Sequence, residues 1–141
     1  KSFVDSHVRP EPQIGLGLAL RENMAIHAMM DLSDGIAKDA RTMGYESGLG
    51  VILNFDSSHI SPLMIELGKI LDSNPFEWVI QGGEEYELLF ASSGSFNPDS
   101  IPGNTARRCI CIGTFTKERR GLWYQDGSSL SEVYTKGWNH L

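Results

Sequence analysis

Ala28-Met29-Met30-Asp31-Leu32-Ser33-Asp34-Gly35-Ile36 is the stretch whose reading decides the fold. The apolar run Ala28 to Met30 leads into two carboxylates set three residues apart around a hydroxyl, and Gly35 follows at once. Ile36, Ala40 and Met43 then recur at helical spacing. The pattern predicts an extended segment that delivers Asp31, Ser33 and Asp34 to the start of a helix ending near Gly44. A helix start offers free N–H groups and the positive end of the dipole, which favour an anion. Carboxylates there repel a bare phosphate but hold Mg²⁺, which in turn holds phosphate. A Ser or Asp before an apolar-periodic run is also the usual N-cap of a helix. On these residues alone, capping and ligand binding both stand open.

Working outward, Tyr45 to Gly50 reads as a turn and Val51 to Phe55 as a strand with Val51, Leu53 and Phe55 on one face. A helix follows, with Ser61 as N-cap, Pro62 at its first position and Ile60 placed to staple to Ile65. Leu63, Met64, Leu67, Ile70 and Leu71 form an apolar stripe along it, expected to be core. A short helix is expected over Pro75 to Ile80. Ser92 to Ala106 is a connection rich in Ser, Pro, Gly and Asn, while Arg108 to Phe115 and Gly121 to Gln125 read as strands, with a turn at Asp126-Gly127. Upstream, Arg9-Pro10-Glu11-Pro12 fixes an extended path, so residues 1–14 form a lead-in to a domain over residues 15–141. Gly15-Leu16-Gly17 lacks the Lys-Ser/Thr ending of a phosphate loop and belongs to a short helix over Leu16 to Glu22. The expected architecture is an α/β domain, an α+β sandwich whose helices pack on one side of a mixed sheet.

The totals narrow the function. The 141 residues suffice for one domain with a real core, and 40% hydrophobic with 21% charged residues is an ordinary globular composition. A net charge of −6 speaks against a nucleic-acid surface. No apolar run approaches the ~20 residues that span a bilayer. There is no signal-peptide pattern, so a cytoplasmic location is expected. The start at Lys1 without Met is expected of a piece of something longer. Cys109 and Cys111 alternate with isoleucines, which places them on one strand face as buried, reduced thiols. His7, His27, His59 and His140 show no metal-site spacing.

Gln81-Gly82-Gly83-Glu84-Glu85-Tyr86-Glu87-Leu88-Leu89-Phe90 is the second informative stretch. Tyr86, Leu88 and Phe90 would share one strand face, with Glu85, Glu87 and Leu89 on the other. Solvated glutamates on an edge strand, and a backbone approach to a ligand with one glutamate aimed at it, fit equally well. The Gly137-Trp138 pair is either a hydrophobic plug or an aromatic platform for a flat ring.

Taken in order, HVRPEP (7–12), MMDLSDGIAKD (29–39), GGEEYELLF (82–90), CIGTF (111–115) and GWNHL (137–141) resemble the C-terminal domain of the thiamine-monophosphate kinase family. That family lies within the wider aminoimidazole-ribonucleotide-synthetase-like group. The resemblance implies ATP-dependent, Mg²⁺-assisted transfer of a phosphoryl group onto thiamine monophosphate, giving thiamine diphosphate. It implies that Asp31 and Asp34 help hold Mg²⁺, that Ser33 contacts the phosphates of ATP, and that Glu84 and Trp138 bind the thiamine substrate. No catalytic residue is implied within the chain. It also implies an N-terminal domain carrying the remaining ligands, a homodimer when full length, and inactivity of this part alone. The chain departs from the family pattern at Gln13, Ile36, Glu85 and Leu141. A related synthetase of the same group (of aminoimidazole ribonucleotide or selenophosphate), a hydrogenase-maturation factor, or a non-catalytic binding module are the alternatives.

Overall fold

The computed structural model describes residues 8–83, 86–101 and 109–134. In chain order the elements are α1 (Ile14–Arg21), β1 (Ile26–Asp31), α2 (Ile36–Glu46), β2 (Gly50–Leu53), α3 (Pro62–Leu71), α4 (Pro75–Gln81), β3 (Leu88–Ser92), β4 (Gly113–Thr116), β5 (Leu122–Asp126) and β6 (Ser129–Glu132). Short 3₁₀ turns lie at Ser57–His59 and Pro98–Ser100. The chain divides into two compact units, one of Lys1–Ser33 with Glu84–Cys109 and the other of Asp34–Gly83 with Ile110–Leu141.

In the first unit, β1 and β3 pair antiparallel from Ile26 opposite Ser92 to Asp31 opposite Leu88. The ladder continues past Asp31, since Leu32 N donates to Glu87 O at 2.8 Å and Tyr86 N to Leu32 O at 2.9 Å. Leu20, Leu32, Leu89 and Ile101 are this unit's buried apolar residues. Gly17 lies where α1 meets the strand pair: a Cβ there would sit 3.6 Å from Leu88 Cδ1 and 3.9 Å from Met29 Cε. Gly15 and Gly17 are helical, as the missing phosphate-loop ending requires.

The second unit carries a four-stranded mixed sheet of order β4-β2-β5-β6, with β2 and β5 parallel and the two outer pairs antiparallel. Val51, Leu53 and Phe55 are buried together as their period-2 spacing predicts. Helix α2 packs on β2 and β5, α4 on α2, and α3 on α4. Besides Asp39, its buried positions are small or flexible (Ala37, Ala40, Met43, Gly44), and a Cβ on Gly44 would lie only 2.7 Å from Val51 Cγ2. The Phe55 ring lies 6.2 Å from Phe76 and meets Tyr124 edge-on at 6.0 Å. Tyr124 OH donates to Phe55 O at 2.9 Å, and burial is the main reason its phenol titrates above the usual range. The mixed sheet and α/β character match the expectation.

Four local expectations are corrected. The α3 stripe is not core: Leu63, Leu67, Ile70 and Leu71 are 47%, 39%, 71% and 60% exposed. The helix is seated instead through Gly68, its one buried residue, where a Cβ would come within 2.9 Å of Pro75 Cδ and Ser73 O. Ser61 is the N-cap and Pro62 opens the helix, but the Ser61 side chain makes no capping hydrogen bond. Of the strand expected over Arg108 to Phe115, the structure shows β4 from Gly113, set so close beside β2 that a Gly113 Cβ would collide with Ile52 O; Arg108 lies outside the described residues. Cys109 and Cys111 therefore precede the strand, the first half-buried and the second exposed. Tyr86 stands outside β3 with φ 51°, so the Tyr86–Leu88–Phe90 alternation starts one position late, and Leu89 is the buried member. Strand β6 had no sequence signal of its own; the two-residue loop at Gly127 (φ 56°) folds it back onto β5.

These seatings make opposite demands. Replacing Leu53 with Ala is expected to cost about 2–5 kcal/mol in urea unfolding, whereas Ile70→Lys is expected to stay within about 0.5 kcal/mol. Burial also pushes the Cys109 thiol up. At neutral pH iodoacetamide is therefore expected to modify Cys111 several-fold faster than Cys109, read by mass spectrometry of timed digests.

Candidate functional site

Asp31 is the last residue of β1, exposed and opposite Leu88. Ser33 is half-buried in the turn that follows. Asp34 begins the second unit, and its carboxylate lies 2.8 Å from Lys38 Nζ, one helical turn on. The strand–turn–helix arrangement expected for this segment is therefore present. Its helix cap is neither Ser33 nor Asp34, however, but Gly35, with no side-chain capping bond.

Gly35 has φ 97° and ψ 154°, a region open in practice only to glycine. A Cβ at Gly35 would also collide with Gly82 O and lie 3.2 Å from Gln81 O. The backbone of the Asp34–Gly35 turn thus rests directly on the end of α4, where Gly82 leaves the helix in an extended conformation after its N–H donates to Trp78 O at 2.8 Å. The approach that the Gly82-Gly83 pair permits is, in this structure, that of another backbone. It brings parts of the two informative stretches together within one unit.

Two residues of this region carried no role in the sequence reading. Asp39 is 2% exposed, the one charged residue buried among those described, and its Oδ2 accepts the backbone N–H of Asp34 at 3.1 Å. The signal was available: Asp39 is three residues after Ile36 and four before Met43, so a carboxylate falls on the apolar side of the helix. Lys38 is the second, as the partner of Asp34. Together they serve the helix start with the protein's own charges. Near the end of β1, Gln13 is the N-cap residue of α1, and its Nε2 reaches Glu11 O at 3.2 Å and Glu87 Oε1 at 3.5 Å. Glu84 and Trp138 lie outside the described residues.

Asp31, Ser33 and Asp34 offer hard oxygen donors of the type that Mg²⁺ takes, and Asp34 already holds a cationic group. Among the described residues no group of three or more His, Cys, Asp or Glu side chains is gathered to enclose a metal. The donors fit Mg²⁺ all the same, because that ion binds through one or two carboxylates and completes its shell with water and phosphate.

No family model matches the chain. Individual proteins do. A thiamine-monophosphate kinase of Salmonella typhimurium is 31% identical over 144 residues, covering 99% of this chain and 42% of that protein. The corresponding kinase of Buchnera aphidicola subsp. Schizaphis graminum is 30% identical with the same coverage. Over nearly its whole length the chain is similar to thiamine-monophosphate kinases. It spans about two fifths of the length of these curated kinases. Among solved structures, the one described as AaThiL complexed with AMPPCP and TMP superposes with a TM-score of 0.73 at 27% identity, over 98% of this chain and 40% of that one. Thiamine monophosphate kinase from Aquifex aeolicus gives 0.69 at 25% identity, over 92% and 40%. Among the described residues no helix is long and apolar enough to cross a membrane.

Gly35→Ala is expected to destabilise the protein by more than the roughly 1–3 kcal/mol of backbone strain, because the collision with Gly82 O adds to it. Gly127→Ala, at φ 56° with open space around the position, is expected to cost only about 1–2 kcal/mol. Chemical denaturation of both variants checks the difference.

Proposed function

We propose that the chain is the part of an ATP-dependent kinase that presents phosphate and metal ligands for converting thiamine monophosphate to thiamine diphosphate. The observation that carries this reading is the Asp31-Leu32-Ser33-Asp34-Gly35 turn at a helix start, in a chain aligned over 99% of its length with thiamine-monophosphate kinases. Residues 1–14 serve as lead-in and 15–141 as the C-terminal domain of the enzyme. An N-terminal domain supplies the further ligands, and the full-length protein works as a cytoplasmic homodimer.

The chemistry explains the acid-rich turn. Donor and acceptor phosphates are both anionic, so their approach needs positive charge beside them. Bound Mg²⁺ supplies that charge and stabilises what develops on the transferring phosphoryl group. Asp31 and Asp34 would hold the ion through carboxylate oxygens, Asp34 being the carboxylate now paired with the Lys38 ammonium. Ser33 donates its hydroxyl to a phosphate oxygen of ATP. Glu84 accepts from the aminopyrimidine of the thiamine substrate, and Trp138 bounds its ring. Transfer is direct, with no group on this chain acting as nucleophile; positioning and electrostatics carry the rate.

In the full-length protein, Asp34→Asn is expected to lower kcat roughly a hundredfold or more while leaving the melting temperature near that of the wild type. Thiamine diphosphate formation is followed by chromatography. Near-normal turnover would make the turn a helix start and nothing more. The isolated chain is expected to form no thiamine diphosphate, and thiamine monophosphate is expected to raise the melting temperature of the full-length protein. A response to a different phosphate acceptor instead would favour a related synthetase.

A further inference from the structure

We propose that Asp39 is a positioning residue for the metal-holding turn: its buried carboxylate fixes the Asp34 backbone and thereby aims the Asp34 side chain. The inference rests on the reading of Asp34 as a Mg²⁺ ligand, but the geometry behind it does not. Asp39 is 2% exposed and sits in the first turn of α2, where burying a charge is costly unless it is matched by hydrogen bonds. Its Oδ2 takes the N–H of Asp34 at 3.1 Å, reaching back across the helix start rather than out to solvent. On the other side, Gly35 lies against Gly82 O and Gln81 O. The Asp34–Gly35 backbone is thus gripped between a carboxylate and the end of a helix.

The Asp34 carboxylate is left on the open side of this grip, 27% exposed at the side chain and held to the flexible Lys38 ammonium. A rigid backbone with a side chain that a cation can recruit is the arrangement expected of a metal ligand whose orientation is set before the ion arrives. The acid of an ordinary capping box reaches back to the N–H of the cap residue itself. Asp39 instead takes one from the residue that precedes the cap, which is the residue proposed to bind metal.

The test begins with amide hydrogen exchange on this chain, which needs neither metal nor activity. In Asp39→Ala the Asp34 amide is expected to exchange at least tenfold faster than in the wild type, with α2 amides beyond Ala40 changed less than twofold. Asp39→Asn keeps an acceptor oxygen and is expected to hold the Asp34 amide within about threefold of the wild type. An unchanged Asp34 amide in Asp39→Ala, or equal acceleration along the whole of α2, would overturn the proposal. Should Asp39→Ala not fold, Asp39→Asn decides it, and loss of Asp34 protection there overturns it.

The second arm measures Mn²⁺ binding to the full-length protein by electron paramagnetic resonance. Asp39→Ala is expected to weaken it roughly ten- to a hundredfold, and Asp39→Asn to restore most of the affinity. Unchanged affinity in a folded Asp39→Ala protein would refute the positioning role. If Asp34→Asn leaves Mn²⁺ affinity intact while the exchange results hold, the metal-ligand reading fails and Asp39 is a clamp of the turn alone.

Discussion

The contact between Gly35 and the carbonyl of Gly82 is the constraint around which the second unit's proposed half of the site is arranged. Two backbones meet there without a side chain between them, one of them in a conformation that only glycine adopts readily. Every feature of the turn follows from that closeness. The helix start cannot use a Ser or Asp cap, because Gly35 occupies the capping position. The Asp34 N–H, directed away from the helix ladder, needs an acceptor, and Asp39 provides one from inside. The packing of α4 on α2 then holds Gly82 in place, so the geometry of an acidic turn depends on how two helices seat.

Small residues recur wherever the second unit is tight. Gly44 lets α2 approach Val51, Gly68 lets α3 approach Pro75, and Gly113 lets β4 lie close beside Ile52. Close approach through glycine gives up hydrophobic area at those positions. The apolar weight is carried instead by Val51, Leu53 and Leu122 in the sheet and by Phe55 just past β2, with Phe76 and Tyr124 closing around Phe55. Within this chain α3 is positioned by backbone proximity at Gly68, not by burying its leucines.

The strand–turn–helix at Asp31–Gly35, the period-2 burial of Val51, Leu53 and Phe55, the helices opened by Pro62 and Pro75, and the turn at Asp126-Gly127 were all legible in the sequence. Each depends on neighbours within a few residues, where periodicity and the special backbones of Gly and Pro act directly. The placement of Asp31 at a strand end and of Ser33 and Asp34 before a helix was legible for the same reason. Asp39 was not assigned a role, although its place on the apolar side of α2 marked it, because a buried carboxylate has meaning only with its donor in view. The Cys109-Ile110-Cys111-Ile112 alternation read as a strand because pattern alone does not say where pairing with β2 begins, which is at Gly113 opposite Leu53.

The sequence by itself determined the helices and the inner strand β2, where an acidic turn meets a helix, and the likeness to thiamine-monophosphate kinases that the comparisons bear out. Tertiary structure decided which apolar faces are covered, what the Gly82 carbonyl meets, and which carboxylate holds the turn. The physical reason is one of range. Backbone preference and amphipathic period are properties of a short window, whereas burial and a collision avoided by glycine are properties of two segments distant in the chain, and only their packing brings Gly35 onto Gly82.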